Sequence, residues 1–140
     1  MKHIVAIAAA FAVTGAAAAI AADTSDIAFP DGYRGWFHHH STVNMAGHAP
    51  EGNVCPQHVY SNPATVEGPR TGQFADGATF VVDRFKYVED ANHSLTAGDR
   101  KVVAVMVRGA ARYPETGGWG FQAFKGGNPA QLAVKDGGAA

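Results

Sequence analysis

The sequence predicts a mainly β (α+β) domain: an antiparallel sheet with one or two short helices packed on it. Several segments alternate apolar and polar residues with a period of two, which is the pattern of half-buried strands. No helical segment of crossover length separates these strands, so we expect neighbouring strands to run antiparallel. Glycine accounts for 17 of the 140 residues, above its usual share of about 7%, which indicates a chain rich in turns.

The first 21 residues have the composition of a secretory signal peptide. A positive start at Lys2 precedes an alanine-rich apolar run over residues 4–20, and Ala19-Ile20-Ala21 has the small residues that signal peptidase accepts. A membrane anchor is the alternative, but the run is only weakly apolar and polar residues follow it at once. We therefore expect residues 1–21 to be removed and residues 22–140 to form one exported domain without a membrane segment.

The charge balance excludes two classes of protein. Lysine and arginine number 11, and aspartate and glutamate number 12. This balance is unlike that of a long disordered tail or of a nucleic-acid binder held by charge, so we expect no nucleic-acid partner. Cys55 is the only cysteine, so no disulfide forms within the chain and stability depends on burial or on a bound group.

The domain opens with a predicted short amphipathic helix or turn over residues 29–37. Pro30 suits the first turn of a helix, and Tyr33, Trp36 and Phe37 share one helical face at i, i+3 and i+4. Residues 41–56 follow without periodicity and contain two glycines and two prolines. These residues interrupt any regular element, so we predict a loop there.

Four strands are predicted after this loop. The first is short, over residues 58–60, and the second, over residues 78–88, alternates clearly. Its phase places Thr79, Val81, Phe85 and Tyr87 on one face and Phe80 and Val82 on the other. Residues 102–107 and 119–124 form the third and fourth strands, and the polar segment 89–100 is predicted to be a long hairpin loop.

The most visible polar cluster lies in residues 38–58, where imidazoles and a thiol could bind copper or zinc. Its members are His38, His39, His40, His48, Cys55 and His58. Three adjacent histidines cannot all face one ion from a helix or a strand. Two interpretations stay open: a metal site whose affinity falls between about pH 7 and pH 5 as imidazoles are protonated, and a solvated loop. Cys55 is expected to be a small, half-buried side chain or a free thiol and not a catalytic one, because only His58 is near it in the sequence.

Aromatic residues are frequent in and around the predicted strands: Tyr60, Phe74, Phe80, Phe85, Tyr113, Trp119, Phe121 and Phe124. Core packing explains them by default. A planar cofactor is the alternative, because a large apolar pocket with few polar groups is what holds a macrocycle.

Five segments of the chain together resemble the cytochrome P460 family, which includes the β-type cytochromes c′. They are FPDGYRGW (29–36), HVYSNP (58–63), GQFADG (72–77), GDRKVVAVM (98–106) and RYPETGGWGF (112–121). The resemblance implies a mainly antiparallel β domain, commonly a homodimer, that carries a c-type haem in the bacterial periplasm. It also implies a small nitrogen-containing ligand, nitric oxide or hydroxylamine, and exchange of electrons with a periplasmic partner protein.

The chain departs from the family pattern at the haem attachment motif. The family attaches haem through C-x-x-C-H near the C-terminus, and this chain ends at Ala140, where that motif would follow. We therefore expect a fragment of a longer gene product, with haem c attached downstream, in preference to a haem-less relative.

A second departure concerns the lysine that crosslinks to haem in the enzymes of the family. That lysine follows the F-x-D-G turn, and the corresponding position here is Val82. Lys86 lies on the same face by count but ~13 Å farther along the strand, too far to replace it. The resemblance leaves open whether the chain is an enzyme; if it is one, an oxidoreductase acting on hydroxylamine is implied, and Val82 favours ligand binding or electron transfer instead.

The resemblance and the strand phase together predict six residues of a cofactor pocket: Tyr60, Phe74, Phe80, Val82, Trp119 and Phe121. No catalytic residue is predicted. The alternative function is a haem-free exported domain, either structural or binding copper or zinc through residues 38–58.

Overall fold

The computed structural model describes residues 26–48 and 54–134. The predicted signal peptide, residues 1–21, lies outside the described residues. The strands are β1 (Phe37–Asn44), β2 (Cys55–Ser61), β3 (Thr79–Glu89), β4 (Leu95–Arg108) and β5 (Trp119–Lys125). They form one sheet in the order β1-β2-β3-β4-β5, with every neighbouring pair antiparallel.

Helical structure is sparse in the part of the chain that the structure describes. One short helix, α1 (Gly68–Thr71), lies between β2 and β3, and 3-10 turns occur at Tyr33–Gly35, Pro63–Thr65 and Pro114–Thr116. The prediction of a mainly β domain with an antiparallel sheet is confirmed. Within the same residues, no helix has the length and apolar character needed to cross a bilayer.

Of the helix or turn predicted over residues 29–37, the structure has the turn: a single 3-10 turn at Tyr33–Gly35. Tyr33 is buried, but Trp36 is already extended and Phe37 begins β1 with 62% of its surface exposed. Tyr33 enters the core as part of a turn that follows Gly32, whose φ of 70° is favourable only for glycine. The i, i+3, i+4 spacing of these aromatic residues therefore reflects no common helical face.

Strand β1 was not predicted, and residues 41–44 belong to it and not to a loop. Seven of its eight residues are exposed, and only Asn44 is buried. An edge strand is held by backbone hydrogen bonds to one neighbour and needs no apolar face of its own. For that reason the sequence of β1 shows no alternation.

The long loop predicted over residues 89–100 is also wrong, because β4 begins at Leu95. Only a tight turn at residues 90–94 joins β3 to β4, where the Asp90 Oδ1 atom accepts hydrogen bonds from the backbone N–H groups of Asn92 and Ser94. The side chains that flank this turn are exposed on both strands. The hairpin itself was predicted, but polar composition concealed the strand residues beside the turn, which the backbone ladder holds.

The sheet has two faces of different character. One face, called here the covered face, is packed beneath the N-terminal segment and a C-terminal turn; its core residues are Ile27, Tyr33, Val81, Val103, Val105, Phe124 and Leu132. The other, called the open face, carries Phe80, Val82, Ala104, Met106 and Phe121, all of which remain partly exposed. The predicted phase of β3 is confirmed at residues 79–82. Register shifts on both sides of Phe85 interrupt it, and Tyr87 is exposed.

Candidate functional site

The open face contains an almost wholly apolar cleft of about 340 Å³. Its lining residues are Phe80, Val82, Ala104, Val105, Met106, Phe121, Gln122, Ala123 and Val134. A volume of this size falls within the range of small-molecule and cofactor pockets, about 300–1,000 Å³. The cleft is therefore the first candidate for a binding site.

The shape of the cleft follows from the strand register. Phe80 on β3 pairs with Met106 on β4, which pairs with Phe121 on β5, so three large side chains form a row across the sheet. The adjacent row consists of Val82, Ala104 and Ala123, which are all smaller. Small side chains beside large ones leave a hollow floor with an aromatic wall.

Two further aromatic rings extend this wall: Trp119 at the start of β5, and Phe74, which lies outside the strands. The centroid of the Phe74 ring lies 5.6 Å from Phe80 and 5.3 Å from Trp119, both in edge-to-face geometry. Phe74 takes this position because its ring packs directly on the backbone of Gly68, where no Cβ atom would fit. The guanidinium group of Arg108 lies over the Trp119 ring at 5.6 Å, a favourable cation–π geometry.

Five of the six predicted pocket residues thus lie on one side of the sheet. Phe80, Val82 and Phe121 line the cleft, and Phe74 and Trp119 continue its aromatic wall. The structure separates the sixth, Tyr60, from these five. Tyr60 pairs with Val81 and therefore faces the covered side, where its ring lies 5.5 Å from Tyr33.

Six further cleft residues were not predicted from the sequence: Ala104, Val105, Met106, Gln122, Ala123 and Val134. Residues 102–107 were predicted to be a strand, and the period of two in any strand puts Ala104 and Met106 on the same face. That signal could have found them, but only the register with β3 shows which face they share.

The covered face holds a buried carboxylate at its centre. Asp83 is fully buried and accepts hydrogen bonds from the Tyr33 hydroxyl at 2.6 Å, from Arg34 Nη2 at 2.9 Å and from Arg100 Nε at 2.8 Å. Burial, reinforced by the bond to Asp83, raises the pKa of Tyr33 from 10.0 to about 12. These bonds fasten the N-terminal turn to the sheet, so this network organises the fold on the side away from the cleft.

A second hollow, of about 430 Å³, lies between the N-terminal segment and one end of the covered face. Its walls include the charged side chains of Arg112 and Asp26, which form a 3.0 Å ion pair. This hollow is more polar than the cleft. It suits a planar apolar cofactor less well for that reason.

The histidine-rich segment divides between the two faces. His39 Nε2 lies 2.7 Å from Ser61 Oγ, and its ring lies 5.7 Å from Phe80 on the open side. His38 contacts Tyr60 and His58 on the covered side. Cys55 is fully buried, with its Sγ 3.3 Å from Arg84 Nη2. Among residues 26–48 and 54–134, no three His, Cys, Asp or Glu side chains are grouped as a metal site.

The family model described as Cytochrome P460 matches residues 30–139. The chain belongs to the cytochrome P460 family. The match covers the whole sheet and the segments that line the cleft. No match to this chain was found among curated proteins.

Membership of the cytochrome P460 family implies haem binding in general terms, and the cleft can be tested against that group. A porphyrin is planar and largely apolar, so its wall must be apolar and have aromatic or aliphatic side chains. The open face meets this requirement through its rows of apolar residues and the ring of Phe74. With a single cysteine, the chain has no C-x-x-C-H motif of its own.

Proposed function

We propose that this chain is the sheet domain of an exported c-type cytochrome, and that haem packs against its open face. The observation that carries the proposal is the apolar cleft formed by two rows of side chains that cross β3, β4 and β5. In a protein with a single sheet, other elements normally cover each apolar face, and a face left open to solvent carries polar side chains. An apolar face that stays partly exposed is typical of a surface that receives a partner or a cofactor.

The residues that would hold the macrocycle follow from the shape of the cleft. Val82, Ala104 and Ala123 form the floor, and Phe80 and Phe121 stand beside it. Their apolar side chains would exclude water from one side of the group. Haem bound there would supply an iron centre for a small ligand or for electron transfer.

Val82 directs the proposal toward ligand binding or electron transfer and away from hydroxylamine oxidation. It lies on the cleft floor, and its aliphatic side chain offers no nucleophile to a porphyrin edge. An uncrosslinked haem keeps its ordinary conjugation, so the holoprotein should show the spectrum of a plain c-type haem. Nitric oxide is the ligand class we propose, with a periplasmic electron-transfer protein and a second copy of the chain as partners.

The test is to express the gene together with any coding sequence that follows Ala140 and to stain the purified protein for covalent haem. Ala104→Phe fills the cleft floor and should lower haem content several-fold or shift the Soret band. Ala97→Phe is the matched control, because Ala97 is exposed on the same strand and should change neither. A wild-type protein without haem would overturn the proposal, as would an Ala104→Phe protein whose haem content and Soret band match the wild type.

A further inference from the structure

Two histidines on different strands converge on one hydroxyl group at the β1–β2 edge of the sheet. His38 Nε2 lies 3.0 Å from Ser41 Oγ, and His58 Nδ1 lies 2.6 Å from the same oxygen. The centroids of the two imidazole rings are 6.1 Å apart. Neither the haem proposal nor the cleft uses this arrangement.

A β-bulge in β1 creates the convergence. Residues three apart in a regular strand point to opposite faces, so His38 and Ser41 would be separated. The register shifts between His38 and His40, which leaves His39 as the extra residue. Such a bulge turns the side chains on its far side by one position, so Ser41 faces the same side as His38. Ser41 pairs directly with His58 on β2, which completes the group.

Both histidines reach the surface, and aromatic neighbours hold their rings in place. His38 and Ser41 are exposed, and His58 is half-buried. The His38 ring lies 5.2 Å from Tyr60, and the His58 ring lies 5.7 Å from Phe85. These contacts restrict both side chains, so less freedom is lost when they bind a common ligand.

Nearby charge does not prevent cation binding. The guanidinium groups of Arg34 and Arg100 lie 5.5 and 5.4 Å from the centroid of the Phe85 ring, which also packs against His58. Both arginines are also paired with the buried carboxylate of Asp83, which faces His58 across β2 and β3. The carboxylate offsets part of their charge.

We propose that His38 Nε2 and His58 Nδ1 form a two-imidazole site for a divalent copper ion. Neutral imidazole nitrogen is a preferred ligand of Cu²⁺, which also leads the affinity order of the divalent first-row metals. Two nitrogens on one ion are at most about 4 Å apart, since each bond is about 2.0–2.1 Å. Both nitrogens already lie within 3.0 Å of one oxygen, so small ring rotations suffice. Water and the Ser41 hydroxyl complete an open coordination sphere.

The proposed site differs from one formed by the three consecutive histidines, His38, His39 and His40. His39 is directed to Ser61 on the open side, and His40 pairs with Val59, whose side chain also faces that side. Two of the three consecutive histidines are therefore excluded from the site. The required partner is instead His58, which lies on another strand.

The experiment is Cu²⁺ titration of the full chain after signal removal, followed by calorimetry and by electron paramagnetic resonance. His38→Ala and His58→Ala should each weaken Cu²⁺ binding by at least about 10-fold, since changes in outer-shell partners alone cost that much. The nitrogen hyperfine pattern should fall from two equivalent imidazoles to one. His40→Ala is the matched control, from the same exposed strand, and should leave affinity and spectrum unchanged. Zn²⁺ should bind at the same residues but more weakly.

Two outcomes would overturn the site. Equal losses for His40→Ala and His38→Ala would assign binding to the histidine run, and full affinity in His58→Ala would remove the cross-strand partner. Thermal unfolding of each variant checks the fold. The exposed His38→Ala variant tests the site on its own if His58→Ala unfolds.

Discussion

The covered and open faces of the sheet differ in what completes them. The covered face is closed by this chain's own residues, including Ile27, Tyr33 and Leu132, and it contains the buried Asp83 with its hydrogen-bond partners. The open face is also apolar along β3, β4 and β5, but among the described residues no comparable layer packs on it. Stability and binding are therefore divided between the two sides of the same strands. Along β3 and β4, successive residues alternate between the stabilising face and the binding face.

The largest expected effect is at the centre of the covered face. Asp83→Asn would remove the charge that Arg34 and Arg100 share. Breaking a buried ion pair from one side typically costs 3–5 kcal/mol, and we expect about 3 kcal/mol here because both arginines are partly exposed. Urea unfolding at neutral pH measures this loss.

Asp99→Asn provides the control for Asp83→Asn. Asp99 forms an exposed pair with Lys86, so its loss should cost less than about 1 kcal/mol. Similar losses of unfolding free energy in the two variants would show that the Asp83 network stabilises the fold no more than an exposed ion pair does.

Two neighbouring valines on opposite faces allow the contribution of each face to stability to be compared directly. Val81 is fully buried on the covered face, whereas Val82 lies half-buried on the cleft floor. Val81→Ala should lower the free energy of unfolding by about 2 kcal/mol, and Val82→Ala by less than about 1 kcal/mol. Urea unfolding of the haem-free chain measures both. The comparison fails if Val82→Ala proves as destabilising as Val81→Ala.

The last expected effect is confined to alkaline pH and comes from the titration of Tyr33. Its pKa is raised from 10.0 to about 12, first by burial and then by the hydrogen bond to Asp83. The folded state thus favours the protonated phenol. This stabilisation is fully present below pH 10 and is lost as the pH rises from about 10 through about 12.

Urea unfolding at a series of alkaline pH values measures the Tyr33 effect. Other groups titrate in the same range, so the informative quantity is the difference between the wild type and Tyr33→Phe. The variant lacks the phenol and should show a shallower decline in stability. Identical slopes in the two proteins would show that Tyr33 does not couple to folding.

The strands with an apolar period were predictable from the sequence, and those without one were not. Residues 78–88 and 119–124 alternate, and the structure has strands at Thr79–Glu89 and Trp119–Lys125. The exposed residues of β1 and the first half of β4 carry no such signal. Backbone hydrogen bonds to a neighbouring strand form them, and any side chains that tolerate extended backbone satisfy that requirement.

The candidate site shows the same division. The resemblance and the strand phase pointed to Phe74, Phe80, Trp119 and Phe121, whose large rings are easy to recognise in a sequence. The small residues that make the cleft hollow, Ala104 and Ala123, carry no comparable signal. Whether an alanine leaves a hollow depends on the size of the side chains around it, which only the register between strands shows.

The sequence by itself determined the fold class, the family and the alternation of Phe80 and Val82 with Val81. The tertiary structure alone decided that Tyr60 faces the covered side, that Asp83 collects two arginines, and that His38 meets His58. The physical reason is that a period of two assigns residues to faces only within one strand. The register between strands, and a bulge that shifts it by one residue, determine which side chains from different strands meet.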